Sequence, residues 1–388
     1  MNLLARHRRY MGALVAGIIG LLLLSNIIPD PLGTWKARTP LAPEWGWGRT
    51  AHVIFRNAGE FIHDNFGFRA TLPVLRRELR RALDAPDSYP IYAGRNGQLF
   101  WGVERTPEQS AGALVRAPEV ERFVSMIGEM QRSLAPLGTK VVVALPPNAQ
   151  SVELEELPAW TDLLRYPTTE YRLALAGLEA EGVTTVDLRR VLRRAPWPRY
   201  LLTDTHWNTR SSILAFNAVM AAAGHPGWQV DVSQVIGGRV PSPRGDLLRS
   251  MRMPPEVKEE NFQILYKSPA GPQRPDPALT HHNEHFAFKS VARDYAPTGE
   301  RVLIMGDSFT VGIWAGLFAN ADVSVVGWMH ASLKTTGSCD FNFNDVKAFK
   351  PDLLIYARTE RFFPCPPDNW PAGLPRPRGN AIPLGAAP

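Results

Sequence analysis

Three side chains in this sequence are of the types that together activate an alcohol for attack on an acyl group. Asp204 and His206 stand two apart in LLTDTHWNTR, which begins at Leu201, and Ser308 stands in Gly306-Asp307-Ser308-Phe309. A serine hydroxyl is a weak nucleophile until a base takes its proton. An imidazole can be that base, and a carboxylate on its other nitrogen fixes the tautomer. Each motif is common alone, and Ser308 by itself reads as a turn residue. Both together, each at the edge of a predicted element, form a stronger joint signal. The pattern is not the G-x-S-x-G elbow, because position 310 is Thr.

The elements that must position these groups are legible as alternating apolar runs and amphipathic stretches. ERVLIMGDSF predicts a buried strand over Val302–Met305 running into a tight turn. Ser308 then sits at the carboxyl end of a parallel strand, where open α/β sheets place their ligands. A helix is predicted over Thr310–Asn320, whose first N–H groups would face a developing oxyanion. Gly306 permits a close backbone approach, and Asp307 is expected to hold the turn by local bonding. Asn208 reads as the N-cap of a helix reaching about Ala223, with Gly224 as its C-cap. Further strands are predicted at Val141–Leu145, VTTVDL, DVSVVGW and KPDLLIYARTERFF. Helices are predicted over Pro118 to about Leu137 and in TEYRLALAGLEAEG, ended by Gly182. This alternation predicts a layered α/β fold. Residues 237–297 are rich in Pro and polar groups and read as a long insertion, and the tail from Pro364 as irregular.

Composition bounds the setting. The 388 residues are 45% hydrophobic and 21% charged, enough for a packed core, and the net charge of +6 favours anionic partners. Arg6, His7, Arg8 and Arg9 precede an uncharged run from Met11 to Ile28, about long enough to cross a bilayer. No good cleavage site follows, so residues 1–28 read as a cytoplasmic flank and an uncleaved anchor, with the remainder outside. That placement argues against nucleic acid. Residues 29–50, with Trp35, Trp45 and Trp47, read as a linker. Leu72, Leu75, Leu79 and Leu83 recur at helical spacing beside Arg76, Arg77, Arg80 and Arg81, a basic face that is either solvated or in contact with an anion. Cys339 and Cys365 can pair in an oxidising compartment or remain two buried thiols. His281, His282 and His285 have metal-ligand types, but nothing completes a site, and no metal is expected. Glu153, Glu155 and Glu156 read as a solvated acidic face. No phosphate-binding glycine loop is present.

GDSF with an upstream DTHWN resembles the SGNH hydrolase superfamily, and specifically its circularly permuted AlgJ/AlgX-like branch, over roughly Phe61 to Phe363. DNFGFR at Asp64–Arg69 and GDLLRSM at Gly245–Met251 match segments of that branch. PPNAQS at Pro146–Ser151 resembles its Pro-Pro-Asn-Lys segment, with Ala149 in place of the Lys. The strand before Arg358, Thr359, Glu360 and Arg361 resembles the one that ordinarily carries an oxyanion-hole Asn, and no Asn is present there. The resemblance implies a three-layer sandwich on a central parallel sheet over residues 51–363, with 364–388 as a Pro-rich tail. It implies Ser308 as nucleophile, His206 as base and Asp204 as the group that orients it. An oxyanion hole or substrate pocket is expected from the Ser308 N–H with groups near Gly327, Arg358, Trp207 and Asn148. Members of the branch O-acetylate exported polysaccharides. The expectation is therefore an O-acetyltransferase on the inner membrane, its catalytic domain in the periplasm and its acceptor an anionic polysaccharide. It would need no cofactor, because a multi-spanning membrane acyltransferase partner supplies the acetyl group. An acetylesterase with the same triad is the alternative, and a non-catalytic glycan-binding or assembly component is a third reading.

Overall fold

Val142, Ala144, Val302, Ile304, Leu353 and Ile355 enter one core, while Val141, Val143, Leu303, Met305, Leu354 and Tyr356 enter another. That alternation is the signature of strands covered on both faces. In the computed structural model the described residues are 10–17, 19–20, 75, 91–158, 161, 165–242, 245–250, 259–265, 272–283, 289–333 and 339–377. The chain divides into two units, 1–87 and 88–388. In the first, residues 10–17, 19, 20 and 75 are helical. Among the described residues no helix is long and apolar enough to cross a membrane. Residues 21–28 of the expected anchor, the linker tryptophans, Asp64–Arg69 and Arg76–Arg81 lie outside the described residues.

The second unit is built on a six-stranded sheet. Its strands are β3 (Lys140–Ala144), β4 (Thr184–Val186), β7 (Val291–Asp294), β8 (Glu300–Gly306), β9 (Val323–His330) and β10 (Leu353–Ala357), in the order β4-β3-β10-β8-β9-β7. All neighbours run parallel except β7, which pairs antiparallel with β9 at one edge. Two small antiparallel pairs stand apart from it, β1 (Ile91–Ala93) with β2 (Leu99–Trp101) and β5 (Ile236–Pro241) with β6 (Glu260–Ile264). On one face pack the helices α1 (Ala117–Leu134), α2 (Glu170–Ala180) and α6 (Phe343–Phe349). On the other pack α3 (Leu188–Arg193) and α4 (Thr209–Ala222). A short helix, α5 (Asp246–Ser250), lies between β5 and β6 in sequence.

Caps set the helix limits as the sequence predicts. Asn208 Oδ1 accepts from Ser211 N at 3.0 Å at the start of α4, and Gly224 follows its end at φ +81°. Thr169 caps α2, accepting from Arg172 N at 3.3 Å, and Gly182 follows at φ +71°. Two expectations are corrected. The expected insertion at 237–297 contains β7, which completes the main sheet; at four residues, with Arg293 and Asp294 in it, the strand lacks an apolar signature. The helix predicted over Thr310–Asn320 is mostly a series of turns, with helix only at Trp314–Leu317 and a single 3-10 turn after it. Gly312 at φ +81° interrupts the helical path. Cys339 and Cys365 are joined in a disulfide with Cα atoms 5.6 Å apart, which ties the start of the Pro-rich tail to the sheet.

Candidate active site

The Asp204–His206 loop is a chain reversal between two anchors. Tyr200 bridges Trp207, Leu201 N donates to His206 O at 3.3 Å, and Asn208 N donates to Arg199 O at 3.0 Å. At its base the buried Glu153 carboxylate accepts from Arg199 N at 2.6 Å and Tyr200 N at 3.1 Å, and pairs with the Arg199 guanidinium at 2.6 Å. Burial raises the Glu153 carboxyl above its ordinary range, and Arg199 offsets only part of that. Glu153 is therefore a buried support of the loop, which corrects its reading as solvated surface. The acidic run could not show this, because its partner lies far along the chain.

At the tip, one oxygen of Asp204 accepts from the His206 backbone N–H at 3.0 Å and from His206 Nδ1 at 2.5 Å. The Asp-x-His spacing lets one carboxylate close the turn and hold the ring together. The other oxygen accepts from Asp246 N at 2.9 Å. Burial pushes the Asp204 carboxyl up, but the His206 hydrogen bond and charge and the backbone donors outweigh it and hold it at about 2. An ionised carboxylate only accepts, so Nδ1 carries a proton directed at Asp204, which leaves Nε2 as the ring nitrogen open to other groups. Nε2 is shielded from solvent and has no hydrogen-bond partner among the described residues.

Asp246 and its neighbour Gly245 complete the second anchor. The Asp246 carboxylate accepts from Thr205 N at 2.8 Å and Thr205 Oγ1 at 2.6 Å, and its nearer oxygen is 3.7 Å from His206 Nδ1. A Cβ at Gly245 would stand 2.0 Å from the Thr203 carbonyl oxygen, so the two segments approach backbone to backbone. Asp204, His206 and Asp246 bring metal-type donor atoms within 4.8 Å of one another. Here those atoms serve the ring and the loop: Nδ1 bonds Asp204, and Asp246 bonds Thr205.

Ser308 follows β8 in a turn fastened to the end of β10. The buried Asp307 carboxylate accepts from Phe309 N at 3.1 Å, Thr359 N at 2.8 Å and Thr359 Oγ1 at 2.5 Å, and lies 3.4 Å from Arg358. Burial alone would raise the Asp307 carboxyl, but the Arg358 charge and the Thr359 donors hold it below its ordinary range. Gly306 leaves room for Thr310, whose Oγ1 lies 2.0 Å from where a Cβ would be. Trp328 Nε1 donates to that hydroxyl at 3.0 Å.

Phe309 brings the two segments together. Trp207 Nε1 donates to the Phe309 carbonyl oxygen at 3.1 Å, the Trp207 and Phe309 rings meet edge-on at 5.2 Å, and the His206 ring lies 4.8 Å from that of Phe309. Ser308 is half-buried beside this contact. No hydrogen bond links Ser308 to His206. The arrangement places a base with an open ring nitrogen against the residue next to an alcohol.

The remaining expected site residues are distributed more widely. Trp207 is buried, stacked with Trp314 and bonded to Phe309, so it has no open face for a sugar. Arg358 is buried in its pair with Asp307. Asn148 is buried, with its N donating to Glu360 at 2.9 Å and its Nδ2 to Ser110 at 3.0 Å. Gly327 lies mid-strand in β9 opposite Leu303, where a Cβ would come within 2.8 Å of the Phe349 ring. It is a packing position, three residues short of the end of β9. His281 pairs with Asp345 at 3.0 Å and His282 Nδ1 accepts from Ser290 N at 3.0 Å, while His285 is outside the described residues. Sequence reasoning did not assign Asp246 or Thr359. The segment Gly245–Met251 carried the first, as a matched motif without a role.

Comparisons with known proteins agree with this fold. Residues 91–275 match the family model described as SGNH hydrolase-like domain, acetyltransferase AlgX. The matched stretch includes Asp204, His206 and Asp246 and ends before Ser308. No curated protein sequence matches the chain. Among solved structures, Bacillus cereus PatB1 with a sulfonyl adduct is 12% identical, covering 71% of this chain and 95% of its own, with a TM-score of 0.50. A DHHW family protein from Eubacterium siraeum is 12% identical, covering 66% and 90%, also at 0.50. The O-acetyltransferase domain of Pseudomonas putida AlgJ is 18% identical, covering 72% and 93%, at 0.46. Over residues 91–275 the chain is similar to the SGNH hydrolase-like acetyltransferase AlgX family model, and its α/β fold is similar to that of the solved structures.

Proposed function

We propose that the protein is an extracytoplasmic O-acetyltransferase, anchored by its N-terminal segment, that modifies an exported or cell-wall polysaccharide through an acyl-Ser308 intermediate. His206 Nε2 takes the Ser308 proton as the hydroxyl attacks the donor carbonyl, and returns it to the leaving group. A sugar hydroxyl then gives its proton to His206 and attacks the acyl carbon; the bond from that carbon to Ser308 Oγ breaks, His206 returns the proton to Oγ, and the acetylated sugar leaves. Asp204 keeps the ring oriented and stabilises its charged form. The Ser308 N–H, which makes no hydrogen bond among the described residues, would serve the oxyanion. The observation that carries this reading is the shielded, unpartnered Nε2 of a histidine packed on Phe309, with its other nitrogen held by an ionised carboxylate. The Cys339–Cys365 disulfide supports an oxidising compartment. On that side of a membrane acetyl-CoA is absent, so the donor is supplied by a multi-spanning membrane acyltransferase partner.

The test is turnover of a chromogenic acetyl ester by the detergent-solubilised full chain, with and without acidic polysaccharides, beside Ser308→Ala. Ser308-dependent transfer of acetyl to the glycan is the expected result. Acetate release that glycan leaves unchanged would make the protein an esterase. Equal behaviour of wild type and Ser308→Ala would remove the catalytic reading altogether.

A further inference from the structure

At the carboxyl edge of the same sheet, beyond the end of β3, lies a cavity of about 250 Å3. Neither Ser308 nor His206 lines it. Arg165, Arg172, Arg189 and Arg193 do, and no carboxylate is among its lining residues that the structure describes. Arg189 is buried, and Glu360 meets its charge. Arg193, one turn further along α3, donates Nε to the Ser151 carbonyl oxygen at 2.9 Å, and a second nitrogen to the same oxygen. Arg172 is exposed and donates to the Pro167 carbonyl oxygen at 2.7 Å. A carbonyl accepts a hydrogen bond but brings no net charge, and among the described residues no carboxylate pairs with Arg172 or Arg193. Burial and the Arg189 charge hold the Arg193 guanidinium below its ordinary range, with Glu360 and Asp187 offsetting this only in part. Among the described residues the charged groups that line the cavity are all guanidiniums. Its volume lies below the roughly 300 Å3 at which pockets for drug-sized ligands begin, which fits a single small polar unit.

We propose that this cavity is an oxyanion subsite, taking a carboxylate- or phosphate-bearing sugar unit of the polymer being modified. Planar guanidinium groups match both oxyanions with paired hydrogen bonds. The cavity also connects to the nucleophile turn. Ser110 on its wall accepts from Asn148 Nδ2 at 3.0 Å, Asn148 Oδ1 accepts from Arg361 at 3.5 Å, and the Arg361 guanidinium lies 5.7 Å from the Phe309 ring. This succession of side chains after β3 and β10 joins the wall of the cavity to the turn that carries Ser308. The identity of the ligand as part of an acceptor rests on the function proposed above; the arginine geometry does not.

The test is calorimetric titration of the full chain with glucuronate, glucose 6-phosphate, inorganic phosphate and glucose at low and high salt. It is repeated for Arg172→Gln, Arg193→Lys and the double variant Arg172→Gln/Arg193→Gln, with melting curves as a check on folding. Saturable binding of one of the sugar acids is expected, weakened by salt, and at least tenfold weaker in Arg172→Gln/Arg193→Gln. The preferred acid names the source of the oxyanion. Arg172→Gln, which gives up only a surface contact to a carbonyl, is expected to keep the wild-type melting curve and to weaken binding severalfold. Unchanged affinity in folded Arg172→Gln and in the double variant would overturn the proposal. So would glucose binding as tightly as the acids, inorganic phosphate binding alone, or no saturation by any acid. Ester turnover is followed in the same variants and is expected to be unchanged. If arginine-dependent binding is seen while Ser308→Ala leaves ester turnover intact, the acyl-transfer reading fails and the subsite stands; the reverse pattern removes the subsite alone.

Discussion

The Trp207 indole N–H donates to the carbonyl oxygen of Phe309 at 3.1 Å, and so joins the base loop to the nucleophile turn across 102 residues of sequence. Trp207→Phe keeps an aromatic ring in the stack but leaves a buried carbonyl without its donor. A loss of about 1–3 kcal/mol in unfolding free energy is expected from that orphaned acceptor. Ester turnover should fall roughly tenfold or more, mostly in kcat, because misplacement of about 1 Å at a reacting centre is costly. Steady-state kinetics and denaturant titration on the same variant check both. A fall in stability with kcat unchanged would show that the link does not position the base.

Ser308→Ala separates chemistry from folding. The hydroxyl makes no hydrogen bond among the described residues and the residue is half-buried, so the melting temperature should stay within a degree or two of wild type. Ester turnover should fall by at least about 10³-fold.

Asp204→Asn replaces the acceptor of Nδ1 with an amide that can present the wrong group to the ring. A drop of about 10³–10⁴-fold in kcat is expected. The same variant reads the carboxyl's own titration. Its folded value of about 2 lies below the ordinary 3.8, so its contribution to stability is fully present above 3.8 and is lost as pH falls through about 2. The wild-type advantage over Asp204→Asn, about 2 kcal/mol from that shift, should be level above pH ~5 and shrink below pH ~4. An advantage that instead disappeared between pH 6 and 8 would assign it to a different group.

Gly245→Ala tests the backbone contact behind the base. The new methyl would stand 2.0 Å from the Thr203 carbonyl oxygen, a rigid neighbour, so one segment must move. A destabilisation of about 1–3 kcal/mol and reduced kcat are expected. Gly227→Ala, where nothing lies within 4 Å, is the control and should change neither.

Loss of the Cys339–Cys365 bond releases a segment with a sequence separation of 26 residues. Cys339→Ser/Cys365→Ser should lower the unfolding free energy by about 3 kcal/mol on the chain-entropy account. Ester turnover at temperatures where the variant is folded should be near wild type, since neither cysteine touches the base loop. Thermal unfolding with and without reductant gives the matching result for the unmutated chain.

Much of this was legible in the sequence for identifiable reasons. The strands of the sheet centre are continuous apolar runs because both faces are covered, and Asn208, Gly182 and Gly224 mark helix ends by the backbone conformations they supply. Asp204, His206 and Ser308 could be singled out by type, but not by position relative to one another. Their approach depends on Trp207 and Phe309, whose pairing is tertiary and leaves no local trace. Glu153 was misread for a related reason, since an acidic run looks the same whether or not a buried arginine awaits it 46 residues later. Thr310–Asn320 has helix-compatible residues, and only the positive φ at Gly312 breaks the path. Strand β7 is too short and too polar to stand out, and its identity comes from the neighbour it pairs with.

Phe309 occupies the ground between the imidazole and the segment that bears the alcohol, with the indole edge behind it. Under the mechanism proposed above, the bulk of this one ring would act as a spacer between imidazole and alcohol. Smaller residues at this position would let the two loops settle together and larger ones would wedge them apart, so the spacing of the two loops depends on side-chain volume at one position.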